Sequence, residues 1–124
     1  MGLSIAPYND DVTAPDVSWS YSGFGQFRSA LAAAEDFELS KMVGFGGDRR
    51  WDTVAASLLP LLNRADDEYG YLSVAECTQM LPRLAEIVAN WHTNSPDADQ
   101  LQQGTDLIRV LRICIDQNVP AMFC

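Results

Sequence analysis

The residues of this chain that could do chemistry are concentrated in one acidic turn, Asn63–Cys77. If Gly70 is taken as the sixth residue of a twelve-residue loop, the segment overlays the calcium loop of an EF-hand, in which a glycine makes the sharp turn and a glutamate closes the loop. In that register Asp67, Ser73 and Glu76 supply the side-chain oxygens, which are the ligands that Ca²⁺ and Mg²⁺ prefer. One interpretation of this turn is therefore a divalent-metal site.

A structural interpretation of the same turn competes with the metal site. Ala65 and Tyr69 occupy the first and fifth loop positions, where an EF-hand places ligands. Ser73 and Glu76 also form the pattern of a helix capping box, in which the hydroxyl and the carboxylate each accept a hydrogen bond from a backbone N–H of the first turn. We therefore expect Gly70 to supply a positive φ in a connection between two helices. We expect no bound metal or other cofactor, and Ca²⁺ or Mg²⁺ in this turn is the alternative.

No other group of residues forms a catalytic pattern. His92 is the only histidine, and because it has no second ligand or nucleophile at a matching spacing, we expect it to lie exposed near the end of a helix. The glycine-rich segment Gly44–Gly47 precedes Arg49 and Arg50 but matches neither the P-loop nor the dinucleotide-binding fingerprint. The sequence leaves enzymatic activity open but favours a protein that is not an enzyme.

The densest aromatic cluster of the chain is Trp19, Tyr21, Phe24 and Phe27. Aromatic side chains dominate binding hot spots, and they also fill protein cores. The helical spacing of Phe24 and Phe27 favours a core position for these two residues. Trp19 and Tyr21 are candidate partner-binding residues.

Charge restricts the class of partner. The chain has 17 Asp and Glu against 8 Lys and Arg, a net charge of −9, which disfavours binding to nucleic-acid phosphates and to anionic lipid surfaces. Three acids stand together at Asp66, Asp67 and Glu68. We expect them to bind a protein partner of basic charge, and mimicry of nucleic acid is one form that such binding could take.

The cysteines and the apolar runs bear on the compartment. Cys77, Cys114 and Cys124 are an odd number without paired spacing, which is more typical of a reducing environment than of a disulfide scaffold. No apolar run reaches the roughly 18 residues of a membrane helix, and the pattern of a signal peptide is missing. We expect a cytoplasmic protein without membrane contact.

Periodicity and capping residues predict the elements that position these side chains. Helices are expected over about 22–36, 54–63, 74–92 and either 98–117 or 104–117. Short strands are expected over 2–7 and 119–124, and they could pair with each other. The predicted fold class is mainly α. It is one globular domain over residues 1–124, with about four helices, an EF-hand-like helix-turn-helix and two short terminal β-strands.

Several short segments, spread over most of the chain, form a recognisable set. They are Met1–Leu3, Trp19–Phe24, Phe27–Arg28, Leu61–Asn63, Gly70, Leu72, Cys77, Pro82–Leu84 and Phe123–Cys124. In this combination the chain resembles a family of small uncharacterised proteins from actinobacteria and their phages. Members of that family have a Met-Gly-Leu start, a Trp-Ser-Tyr-Ser-Gly-Phe segment and a Leu-Leu-Asn-His-Ser-Asp-Cys-Asp-Gly-like turn.

This chain departs from the family pattern mainly at the acidic turn. Arg64–Gly70 stands where the family has His-Ser-Asp-Cys-Asp-Gly, and Ser18 stands where the family has a histidine. An enzymatic role is therefore not implied for this member. We expect a non-catalytic acidic binding protein, a bacterial or phage accessory factor that acts through a protein partner. A divalent-metal-dependent enzyme or sensor that uses residues 66–76 is the alternative.

Overall fold

The computed structural model describes residues 2–9, 13–64, 70–94 and 97–123. This part of the chain forms four α-helices and one four-stranded antiparallel sheet. The strands are β1 (Gly2–Pro7), β2 (Val17–Ser20), β3 (Gly70–Leu72) and β4 (Ala121–Phe123), and the helices are α1 (Tyr21–Ala34), α2 (Leu59–Leu62), α3 (Val74–Asn94) and α4 (Ala98–Gln117). Two 3-10 turns, Leu39–Lys41 and Trp51–Thr53, lie between α1 and α2.

The prediction of a mainly α fold is wrong, because the molecule is an α+β protein. The two terminal strands, β1 and β4, do pair with each other. However, β2 pairs with the free edge of β1 and β3 pairs with the free edge of β4, so the strand order is β2-β1-β4-β3. The strands that were not predicted have 4 and 3 residues, which is too short for the alternation that marks a strand in a sequence.

The predicted EF-hand-like helix-turn-helix is also wrong. The helix that should enter the loop is a single turn, Leu59–Leu62, with Pro60 in its first positions. On the other side of the turn the chain forms β3 before α3 begins. Gly70 has the predicted positive φ, +147°, but it leads into a strand and not directly into a helix.

The three long helices follow their local capping signals. The hydroxyl of Ser20 accepts a hydrogen bond from the Gly23 N–H at 3.0 Å, so Ser20 caps α1 and the helix begins at Tyr21, one residue before the predicted start. The carboxylate of Asp97 caps α4 in the same way, accepting from the Gln100 N–H at 3.0 Å. Asn118 ends α4 in the left-handed conformation with a φ of 56°, which asparagine tolerates better than most residues.

The core lies between one face of the sheet and the helices. Phe24 and Phe27 of α1 are buried there, as predicted, together with Leu107 and Leu111 of α4. The helices α3 and α4 approach closely at Gly104, since a Cβ atom at that position would lie 2.7 Å from Cγ2 of Val88. One buried apolar cluster joins the sheet and the helices, while the extent of the domain, residues 1–124, stays a prediction.

Candidate interaction surface

The sheet has one covered and one open face. Buried and accessible residues alternate along β1, β2 and β4, as expected for strands with helices on one side only. The accessible positions of the four strands are Gly2, Ser4, Ala6, Ser18, Ser20, Gly70, Tyr71 and Met122. None of these eight residues is charged.

Side chains of the open face form a continuous row across the sheet. The hydroxyls of Ser4 and Ser18 lie 2.7 Å apart on neighbouring strands. Ala6 pairs with Met122, and Met122 pairs in turn with Tyr71. The Tyr8 ring packs edge-on against the Tyr71 ring, with 5.3 Å between the ring centroids. We call this row, which consists of Ser4, Ala6, Tyr8, Ser18, Tyr71 and Met122, the outer patch.

The two tyrosines are the most exposed part of the outer patch. Tyr8 is 53% and Tyr71 51% exposed, and Val43 is the only other large hydrophobic residue with comparable exposure in the described part of the chain. The edge-on contact between the rings restricts both side chains before any partner binds. A restricted aromatic side chain loses little conformational entropy on binding, so this pair is suited to anchoring a partner.

The predicted acidic residues Asp66, Asp67 and Glu68 lie outside the described residues. Along the chain they directly precede β3, and Glu68 is separated from Tyr71 by Tyr69 and Gly70. The sequence therefore joins three carboxylates to the edge strand that contributes Tyr71 to the outer patch.

Of the three predicted metal ligands, the structure describes Ser73 and Glu76. They form the reciprocal capping box predicted from their spacing: the Ser73 N–H donates to the Glu76 carboxylate at 2.9 Å, and the Glu76 N–H donates to the Ser73 hydroxyl at 3.1 Å. Asp67, the third ligand, lies outside the described residues. Within residues 2–9, 13–64, 70–94 and 97–123, no three His, Cys, Asp or Glu side chains are grouped closely enough to hold a metal ion. The metal site stays a prediction, and binding at Ser73 and Glu76 would have to compete with their capping bonds.

Trp19 and Tyr21, the predicted aromatic anchors, lie at the junction of β2 and α1. Trp19 is only 4% exposed, and its ring lies 5.0 Å from that of Phe24 and 5.1 Å from that of Phe27. Tyr21 is half-buried against the core. Trp19 faces the helices and Tyr71 faces away from them, so the structure does not bring these two residues together. A role of Trp19 and Tyr21 in partner binding stays a prediction.

Sequence reasoning missed a buried arginine. Arg28 is fully buried, and its guanidinium donates to the backbone carbonyls of Leu61, Leu62 and Arg64. The guanidinium also lies 4.6 Å from the ring centre of Phe24. Arg28 thus satisfies carbonyls at the C-terminal end of α2 and holds the backbone as far as Arg64, the second residue of the acidic turn.

A signal for the burial of Arg28 was available in the sequence. It stands at the helical spacing of the apolar stripe that includes Phe24, Phe27 and Leu31. A charged residue inside such a stripe is either a break in the stripe or a buried cation with partners. Only the position of the α2 carbonyls decides between the two.

Two free thiols, Cys77 of α3 and Cys114 of α4, meet inside the core. The hydrogen bond to Cys77 and burial raise the pKa of the Cys114 thiol. Both residues are fully buried, so neither thiol is placed to act on a substrate in solution. We assign the pair to core packing.

Comparison of the chain with protein-family models, curated proteins and solved structures finds no significant match. The resemblance to small actinobacterial and phage proteins therefore stays a prediction. Among the described residues, no helix has the length and the apolar composition that a membrane crossing requires.

Proposed function

We propose that this protein is a non-catalytic, cytoplasmic binding protein, an accessory factor of a bacterium or its phage. It binds a protein partner of basic charge through the outer patch and through Asp66, Asp67 and Glu68, which directly precede β3 in the sequence. The observation that carries the proposal is an open sheet face without a charged residue on a chain of net charge −9.

The composition of the outer patch supports binding to a protein surface. Charged residues make up 20% of this chain, and sheet faces that meet only water commonly carry them. The centre of a protein interface, by contrast, is depleted of charge and enriched in tyrosine and methionine. Tyr8, Tyr71 and Met122 match that pattern, with the serine pair as a polar neighbour.

The charge of the chain supports a basic partner and opposes pairing of two copies. Two copies, each with a net charge of −9, repel each other as they approach, whereas a basic protein is attracted and oriented. In such a complex the uncharged outer patch forms the centre of the interface. The carboxylates of Asp66, Asp67 and Glu68 are the groups of this chain that we propose to pair with lysines or arginines of the partner.

The chemistry of the outer patch supports binding without catalysis. Its hydroxyls belong to Ser4, Ser18 and the two tyrosines, and the serine hydroxyls bond to each other. An activated serine nucleophile needs an adjacent general base, and none of the six residues of the patch supplies a carboxylate or an imidazole. Binding is the function that this surface supports best.

Photocrosslinking in the source cells tests the proposal. A benzophenone amino acid replaces Tyr71 in one strain and Arg50 in a control strain, since Arg50 is also exposed, at 76%, but lies outside the outer patch. We expect one dominant crosslinked adduct with the probe at position 71, and we expect that adduct to be absent with the probe at position 50. The crosslinked partner should be a basic protein. The purified pair should then dissociate more readily as the salt concentration rises.

Three results would overturn the proposal. The first is the absence of any adduct specific to position 71. The second is an adduct between two copies of this chain, which would identify the patch as a self-association surface. The third is a partner whose affinity is unchanged by salt and by replacement of Asp66, Asp67 and Glu68 with amides, which would remove the acidic turn from the interface.

A further inference from the structure

A second candidate site lies on the helices and shares no residue with the outer patch. The antiparallel helices α3 and α4 leave a groove of about 390 Å³ between them. One wall is the stripe Ala85, Val88, Ala89 and His92 of α3, and the other is the stripe Thr105, Ile108, Arg109, Arg112 and Ile113 of α4. Each stripe has the spacing of a single helix face, so the groove follows the helix axes for about 12 Å.

The floor of this groove is apolar. Val88 and Ile108 are 3% and 9% exposed and lie at its base. Ala85 and Ala89 have small side chains, which leave the space above the floor open. The one hydroxyl of the lining, that of Thr105, donates to the Leu101 carbonyl at 2.9 Å within α4. A polar ligand would therefore gain little from the floor, whereas a hydrocarbon chain would be removed from water.

Two arginines line the rim of the groove on an otherwise acidic molecule. Arg109 and Arg112 lie there beside the His92 ring, and no acidic residue lines the groove. Arg109 is 58% exposed and has Asp106 at 3.6 Å, whereas Arg112 has no ion-pair partner among the described residues. Two arginines one turn apart can hold a carboxylate by charge-assisted hydrogen bonds.

We propose that the α3–α4 groove binds an aliphatic carboxylate, with the hydrocarbon chain on Val88 and Ile108 and the carboxylate between Arg109 and Arg112. The match is one of charge and polarity, since the same groove has an apolar floor and two arginines in its α4 wall. The volume lies within the range of ligand-binding grooves in proteins. The site is independent of the proposed protein-binding function, so either can fail alone.

Nuclear magnetic resonance titration with sodium decanoate, kept below its micellar concentration, tests this site. We expect amide shifts confined to the lining of the groove, with the largest at Ala89, Ile108 and Arg112. The variant Arg112→Gln should weaken binding about tenfold, as expected for the loss of a charge-assisted hydrogen bond. The variant Arg50→Gln changes the net charge equally at a remote exposed site and should leave the affinity unchanged.

A second variant and a second probe separate this site from general detergent binding. Ala89 is exposed, so Ala89→Phe should fill the groove and abolish binding while the melting temperature stays unchanged. Decyltrimethylammonium, with a hydrocarbon chain of similar length and the opposite charge, should produce no shifts in the groove. The proposal is overturned if decanoate produces no shifts, if both amphiphiles bind alike, or if Arg112→Gln and Arg50→Gln have equal affinities.

Discussion

The two faces of the sheet come from the same four strands but have opposite compositions. The covered face carries seven apolar residues that are at most 4% exposed: Leu3, Ile5, Val17, Trp19, Leu72, Ala121 and Phe123. The open face carries serine, alanine, tyrosine and methionine without a charge. Burial against the helices explains the first composition. Packing against the helices does not explain the uncharged composition of the open face. We therefore attribute that composition to the binding of a partner.

The covered face should contribute mainly to stability, and the open face mainly to binding. A large apolar side chain on the covered face contributes about 1.5–3 kcal/mol through burial alone. Substitutions on an exposed surface usually change the free energy of unfolding by no more than about 0.5 kcal/mol. Changes on the covered face should therefore destabilise the protein, and changes on the open face should affect only the binding of its partner.

Trp19→Ala should have the largest effect. It removes a ring that packs on Phe24 and Phe27, and we expect a loss of about 3–5 kcal/mol in the free energy of unfolding, measured by urea denaturation. Ser18→Ala, the adjacent residue on the open face, is the matched control and should cost about 0.5 kcal/mol or less. Equal losses for the two variants would break the distinction between the faces.

Arg28→Met should have the next largest effect. Methionine is unbranched like the aliphatic part of arginine, but it has no N–H to donate to the carbonyls of Leu61 and Leu62. We therefore expect the free energy of unfolding, measured by urea denaturation, to fall by about 2–3 kcal/mol. Arg50→Met, at an exposed site, is the control and should be close to neutral. A stability gain in Arg28→Met would show that the buried cation is retained for a purpose other than the fold.

Ser73→Ala tests the capping interpretation at the junction of β3 and α3. Loss of the hydrogen bond from the Glu76 N–H should cost about 1 kcal/mol in the free energy of unfolding. The cost should be the same with and without added Ca²⁺ or Mg²⁺. A cost that grows with added Ca²⁺ would favour the metal site and count against the structural interpretation, and calorimetry with the same ions provides the independent check.

Tyr71→Ser should have the smallest effect on stability. Tyr71 is 51% exposed, so we expect a change of at most about 0.5 kcal/mol in the free energy of unfolding. Affinity for the crosslinked partner should fall by about 30-fold, as for a hot-spot residue. Val43→Ser, at an exposed large hydrophobic residue outside the outer patch, is the control for binding. A large loss of stability in Tyr71→Ser would mean that the open face serves the fold.

Local signals account for the elements that could be predicted. The helices α1, α3 and α4 were expected because capping residues and apolar periodicity act within one or two turns. The capping box of Ser73 and Glu76 and the positive φ of Gly70 were expected for the same reason. The terminal strands were also expected, although their pairing joins the two ends of the described chain.

Non-local contacts account for the elements that could not be predicted. β2 exists because Val17–Ser20 lies beside β1, and β3 exists because Gly70–Leu72 lies beside β4. Neither segment has enough residues to show its own periodicity. The stripe around Val54–Leu62 looked helical in the sequence, but only Leu59–Leu62 forms a helix. Tertiary packing decides such short segments.

The sequence by itself determined the charge of this protein, the positions of its long helices and the lack of a recognisable catalytic motif. These properties depend on composition and on contacts within a few residues. Only the tertiary structure decided that Trp19 faces the core while Tyr8 and Tyr71 meet on the open face. The physical reason is that the two faces of a strand differ by one residue of register, and the register is set by partners that are distant in the chain.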